Sequence, residues 1–157
     1  MNIIQKALAL QLIDAAWLGS EPSSMDEITD SYINEKIIRT IDDLDNPVNL
    51  EKLKTDYNNL LTEEAETNRV DAIKTLARKK IESLFPDVTQ RNLMARSIEL
   101  INLSGGDVTT LDSAAQAELQ QISKIWDWIK SIRETSNLAE QNNTDVSVII
   151  WPEFIWH

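Results

Sequence analysis

Only three glycines and four prolines punctuate the 157 residues. Those residue types end helices and make tight turns, so their scarcity favours long helices and disfavours an all-β fold of many short strands. The apolar spacing agrees. After Thr109-x-x-Asp112, the residues Leu111, Ala115, Leu119, Ile122, Ile125, Trp126, Ile129 and Ile132 recur at the helical period, which predicts a helix running to about Ala139.

The remaining stops mark out further helices. Residues 3–18 are apolar nearly all round, which predicts a helix buried on several sides and ended by Gly19 and Pro22. The alternation Leu8, Leu10, Leu12 leaves a strand open for part of that stretch. Ser24-x-x-Glu27 is a capping-box pattern ahead of Ile28, Tyr32, Ile33, Ile37, Ile38, Ile41 and Leu44, closed by Asn46-Pro47. Leu53, Tyr57, Leu60 and Leu61 then form one stripe, whereas Val70, Ile73, Leu76, Ala77, Ile81 and Leu84 lie on nearly the opposite side. A break or a change of neighbours is therefore expected near Thr62. Thr62 would cap the new helix, with Glu63, Glu64 and Glu66 at its positive end and Arg78, Lys79 and Lys80 at its negative end.

Phe85-Pro86 closes that helix, because Pro disfavours helical geometry before it and lacks an amide donor. Asp87 with Gln90 is a variant cap for the next one, whose apolar face includes Leu93, Met94, Ile98, Leu100 and Ile101 and which ends at Ser104-Gly105-Gly106. The expected fold is all-α: a bundle of about five to six helices over residues 1–140, with a possible sub-boundary near 46–62.

Gln141-Asn142-Asn143-Thr144 reads as a linker to a last stretch, 146–157, composed mostly of Val, Ile, Trp and Phe. Residues 141–157 thus form a linker plus a strand or extended apolar arm. Soluble chains rarely leave such a run exposed, so the arm either folds back onto its own helices or anchors in a partner. Five Trp is a high count. Trp126 lies within the apolar stripe of its helix and reads as core; Trp128, about 200° away, falls at the rim, where it covers a second helix or meets another chain. The candidate partner-binding residues are Trp128, Ile150, Trp151, Phe154, Ile155 and Trp156.

Charge narrows the partners. The net charge is −11, and an acidic surface repels phosphate backbones and anionic lipid, so neither nucleic acid nor membrane is expected. There is no Cys and a single His, His157, which removes disulfides, thiol nucleophiles, thiolate metal sites and histidine-based catalysis. Asp42, Asp43 and Asp45 lack the central Gly and closing Glu of a calcium loop, since the twelfth position from Asp43 is Lys54, and they read as a solvated helix end. Gly105-Gly106 has neither the Lys-Ser/Thr pair nor the third Gly that a phosphate loop needs, and reads as a turn. No catalytic, cofactor-binding or metal-ligating residues are expected, and the chain reads as a non-enzyme.

The segment Ala77-Arg78-Lys79-Lys80-Ile81-Glu82-Ser83-Leu84-Phe85-Pro86-Asp87, followed by Gln90-Arg91-Asn92 and Ala95-Arg96-x-x-Glu99-Leu100, resembles a region of small tail-associated proteins of tailed bacteriophages. Ile125-Trp126-Asp127-Trp128-Ile129-Lys130-x-Ile132-Arg133-x-x-Ser136-Asn137 resembles a second block of the same family, and a polar turn separates the two blocks, as at 104–109 here. The likeness spans residues 77–140. One departure is Val88, where an aromatic residue usually follows the Pro-acidic pair. The resemblance implies a non-enzymatic structural or interaction protein of the tail, baseplate or fibre apparatus. Such a protein is made in the host cytoplasm, resides in the virion, and has other tail proteins, or further copies of itself, as partners. A tail-fibre assembly chaperone absent from the mature particle, or a small acidic inhibitor or immunity-type protein, are the alternatives. The polar residues of the two blocks, Gln90, Asn92, Arg96, Arg133, Ser136 and Asn137, are expected to join the two helices in a network or to stand exposed.

Overall fold

The computed structural model describes residues 2–11, 15–17, 25–31, 37–39 and 48–155. Among them are four α-helices: α1 (Ile3–Ala9), α2 (Leu50–Leu84), α3 (Asp87–Leu103) and α4 (Ser113–Gln141). Two short strands, β1 (Ala15–Trp17) and β2 (Ile37–Arg39), pair antiparallel with Ala16 opposite Ile38. The chain is mostly helical, as the scarcity of Gly and Pro implies. The helices that can be followed among the described residues are fewer than the five to six expected, and two stretches account for part of the difference. The stretch expected as two helices on either side of Thr62 is one helix, and residues 15–17 and 37–39, expected to be helical, form the ladder. Ile37 and Ile38 are β-branched, which suits a strand better than a helix. The carboxylates Asp42, Asp43 and Asp45, and the terminal Trp156 and His157, lie outside the described residues.

The chain divides into two compact units, residues 1–68 and 69–157. In the first, Asn2 and Gln5 make a reciprocal capping box at the start of α1, each side chain accepting from the other residue's backbone N–H. The helix buries Ile3, Ile4, Ala7 and Leu8 with Ile28, Leu53 and Tyr57. Gln11 grips Asn49 by both amide atoms: its Nε2 donates to the Asn49 carbonyl (3.1 Å) and its Oε1 accepts from the Asn49 N–H (2.9 Å). The Asn49 side chain in turn accepts from Lys52 N–H, which caps the start of α2.

Helix α2 runs unbroken through the position where the apolar stripe shifts. Leu53 and Tyr57 are buried, every residue from 61 to 68 is exposed, and Ile73, Ala77 and Ile81 are buried again about 200° further round. Of the two expectations, a change of neighbours replaces a break. Thr62 does not cap anything; its hydroxyl bonds back to the Asn58 carbonyl of its own helix, as Thr67 does to Glu63.

In the second unit, α3 and α4 both end in Schellman turns. At α3, Gly106 N–H reaches the Ile101 carbonyl and Gly105 N–H the Asn102 carbonyl, with Gly105 at φ +60°. At α4, Thr144 and Asn143 make the same pair of bonds to Ala139 and Glu140, with Asn143 at φ +52°. The expected linker is therefore the end of a helix. Arg69 fastens it: one guanidinium nitrogen donates to the carbonyls of Ala139 and Thr144, the other to the Glu140 carbonyl and Asn143 Oδ1, all at 3.1–3.2 Å. Two of these carbonyls, Ala139 and Glu140, already accept from the turn's own N–H groups, so Arg69 adds a second bond to each, and the cation sits at the negative end of the dipole. The start of α4 is capped by Asp112, which accepts from Ala115 N–H at 2.8 Å.

The core of this unit is Ala77 and Ile81 of α2, with Phe85 just beyond its end, against Ile125, Trp128, Ile129 and Ile132 of α4. Beyond a short 3₁₀ turn (Val146–Val148) the chain returns over this core, and Trp151 and Phe154 pack on it. Phe85, Trp128 and Phe154 form a closed triangle of edge-to-face contacts, with centroids 5.2–5.8 Å apart.

Candidate functional site

One open groove in the second unit, about 570 Å³ in volume, gathers polar residues from three helices. On α2 the spacing 74, 77, 78, 81 and 82 puts one helical face along it, with buried Ala77 and Ile81 as floor and Lys74, Arg78 and Glu82 exposed. From the first turn of α3 come Asp87 and Gln90. Helix α4 contributes Arg133, Ser136, Asn137 and Glu140 at the same i, i+3, i+4, i+7 spacing.

The acids and amides here are unequally tied. Glu140 is held twice, accepting from Ser136 Oγ at 3.1 Å and standing 3.5 Å from Lys74 Nζ. Gln90 donates from Nε2 to the Phe85 carbonyl at 2.7 Å, just past the end of α2; it is not the α3 cap expected of the Asp87–Gln90 pair, since no side chain caps that helix. Arg78, Arg133 and Asn137 make no hydrogen bond or ion pair among the described residues. A second, shallower depression of about 480 Å³ shares Asp87, Gln90 and Arg133 and adds Arg91, Met94 and half-buried Trp126. The two form one continuous polar surface with an aromatic end.

Four of the six polar residues singled out by sequence, Gln90, Arg133, Ser136 and Asn137, meet in this groove. Arg96 does not. It is an inter-helix tie, gripping Glu118 of α4 with two bonds (Nε–Oε1 2.9 Å, Nη2–Oε2 2.7 Å) and Glu99 with a third (2.8 Å). The Arg96 guanidinium holds the Glu118 carboxyl below the usual carboxylate range, and Glu118, followed by Glu99, raises the arginine still further. Asn92 is exposed outside the groove.

The expected partner-binding residues separate as well. Trp128 is 8% exposed, enclosed by Phe85 and Phe154, and its indole N–H donates to the Pro152 carbonyl at 3.1 Å. Trp128 thus takes the first of its two expected places, covering a second helix through Ala77 and Ile81 of α2, while Trp126 is only half-buried against the same core and lines the second depression. Trp151 and Phe154 are half-buried on the same core, while Ile150 (90%) and Ile155 (64%) are exposed; Trp156 lies outside the described residues. Sequence reading missed Lys74, Glu140 and Glu118. Their signal was present only as helical spacing relative to Arg78, Ser136 and Arg96, which becomes informative once the helix pairing is known.

Compared with protein-family models, curated proteins and solved structures, the chain matches none. Among the described residues, no helix is long and apolar enough to cross a membrane.

Proposed function

We propose that this chain is a non-enzymatic structural and interaction protein of a bacteriophage tail, made in the host cytoplasm and built into the virion. One observation carries the reading: Ala77, Arg78, Asp87, Gln90, Arg133, Ser136 and Asn137, drawn from two sequence blocks that resemble phage tail-associated proteins, line a single groove. Arg78, Arg133 and Asn137 are exposed and their side chains are unpaired among the described residues, which leaves their donors accessible to a partner. Ile150 and Ile155, exposed on the apolar arm, offer a second contact to neighbouring tail subunits or to another copy. The fuller architecture in this reading is a bundle of five to six helices whose arm is both internal cover and external contact.

The test is mass spectrometry of purified particles and of tail-assembly intermediates, made with and without the chain. Recovery at fixed stoichiometry in finished particles supports the structural role. Recovery in intermediates alone, with assembly failing in its absence, reassigns the chain to an assembly chaperone. Complete, infectious particles that never contain or require it overturn both.

A further inference from the structure

We infer that the groove binds an extended, polyproline-like peptide segment of a partner protein that carries one carboxylate and one apolar side chain three residues apart. This deepens the interaction role proposed above and rests on it for the partner being a protein.

The chemistry follows from which groups are free. Arg78 on α2 and Arg133 on α4 face one groove and have no anion within ion-pairing distance among the described residues, although the chain carries a net charge of −11. Each of these guanidinium groups suits a carboxylate, since the planar fork donates two parallel bonds to one carboxylate. A polyphosphate suits it less. Glu82 and Asp87 line the same groove with no cationic partner among the described residues, and they repel a multiply charged anion more strongly than a single carboxylate. Asn137 beside Arg133, and the Oε1 of Gln90, whose Nε2 is already committed to Phe85, supply one amide donor and one amide acceptor of the kind that read a peptide backbone.

The spacing follows from α4. Arg133 and Trp126 are seven residues apart on the same side of one helix and flank the same depression, a rise of about 10 Å. A polyproline-type chain advances about 3.1 Å per residue with three residues per turn, so positions i and i+3 fall on one side about 9 Å apart. A carboxylate at one of them meets Arg133 while an apolar side chain at the other lies on Trp126 and Met94. A β-strand would put those two side chains on opposite sides.

The test uses the full chain, isotope-labelled, in two-dimensional NMR titrations with two acetylated and amidated hexapeptides, Pro-Glu-Pro-Pro-Leu-Pro and Pro-Leu-Pro-Pro-Glu-Pro, which cover both chain directions. The expected result is a saturable shift of the Trp126 indole and Asn137 amide signals by one of them, with Kd below about 5 mM. Replacing its Glu by Gln, or testing it on Arg133→Gln protein with unchanged helical circular dichroism, should weaken binding at least about fivefold. No saturable shift with either peptide overturns the inference. So does inorganic phosphate producing the same shifts at equal concentration, which makes the groove a simple anion site. Peptide binding by a chain absent from particles and intermediates keeps the groove and removes the tail role; no peptide binding by a chain found in particles does the reverse.

Discussion

Trp128 donates its indole N–H to the backbone carbonyl of Pro152 at 3.1 Å, which ties the returning C-terminal segment to the middle of α4. The bond has a packing counterpart, because Phe154 completes an edge-to-face triangle with Trp128 and Phe85. Trp151 and Phe154 of the apolar segment therefore pack on the core of its own unit and help to bury Trp128, while Ile150 and Ile155 stay exposed. Truncating the ring should cost most: Trp128→Ala is expected to destabilise the protein by about 3–5 kcal/mol through lost burial and a cavity. Trp128→Phe keeps a ring for the triangle but loses the hydrogen bond, and should cost about 1–2 kcal/mol. Urea unfolding with matched slopes checks both. A Trp128→Phe variant as stable as the native protein would show that the hydrogen bond and the indole's second ring contribute nothing, and one no more stable than Trp128→Ala would show that the remaining ring contributes nothing.

Arg69 should behave as a clamp whose value depends on its shape. Its two terminal nitrogens serve three backbone carbonyls and the Asn143 side chain at once. A lysine ammonium is a point donor that cannot span them. Arg69→Ala is expected to destabilise by about 1–3 kcal/mol, and Arg69→Lys to recover less than half of that loss. Hydrogen exchange at Thr144, whose N–H closes the α4 cap onto Ala139, should accelerate in both variants relative to amides in the middle of α4.

The pH response follows from three carboxylates, half-buried Glu118 and exposed Asp107 and Asp145. Arg96 lowers the Glu118 carboxyl, hydrogen bonds from Thr109 lower Asp107, and those from Ser147 lower Asp145. A depressed folded-state value means that the unfolded chain binds protons more readily. The stabilisation is therefore fully present above the ordinary carboxylate range and is lost as pH falls through the folded values. Stability should be flat near neutrality and should decline below about pH 4.5. Glu118→Gln should flatten part of that decline, and Arg96→Met should do the same, since each removes the cause of the Glu118 shift. The upward displacement of Arg96 lies beyond any pH at which the fold is measured and adds no slope. Unfolding midpoints in urea at a series of pH values give the comparison; an undiminished acid decline in both variants would place the titrating groups elsewhere.

Much of the helical layout was legible because it rests on local chemistry. Pro86 ends α2 shortly after its last helical position and Ser104-Gly105-Gly106 closes α3, whereas the start of α4 falls three residues later than the Thr109-x-x-Asp112 pattern implied, with Asp112 itself as the cap and Thr109 in a 3₁₀ turn. The shifted stripes of Leu53–Tyr57 and Ile73–Ile81 also foretold a change of surroundings. The stripes could not say whether the helix breaks, since exposed residues 61–68 are ordinary helix formers and propensity carries α2 across them. Tertiary pairing decided the rest. Ile37 and Ile38 fit the spacing of a helical stripe although their β-branching favours a strand, and pairing with β1 decided for the strand. The groove was half-visible: Gln90, Arg133, Ser136 and Asn137 stood out as polar residues, but nothing local to them reveals that α2 brings Arg78 and Lys74 to the same surface.

The two helix ends provide a matched comparison of how a left-handed residue is tolerated. Gly105 (φ +60°) and Asn143 (φ +52°) occupy the same position of the same Schellman turn, one after α3 and one after α4. A Cβ at position 105 would meet no atom within 4 Å, so Gly105→Ala is strained by its backbone angle alone and should cost about 1 kcal/mol. Asn143→Ala carries the same backbone penalty, softened because Asn already bears a Cβ, but it also removes the Oδ1 that accepts from Arg69 at 3.1 Å. Its cost should therefore fall sharply in an Arg69→Ala background, whereas that of Gly105→Ala should not change. A double-mutant cycle measured by urea unfolding separates the two contributions. Coupling of Arg69 to position 105 as large as to position 143 would mean that the clamp acts through global stability and not through the α4 cap.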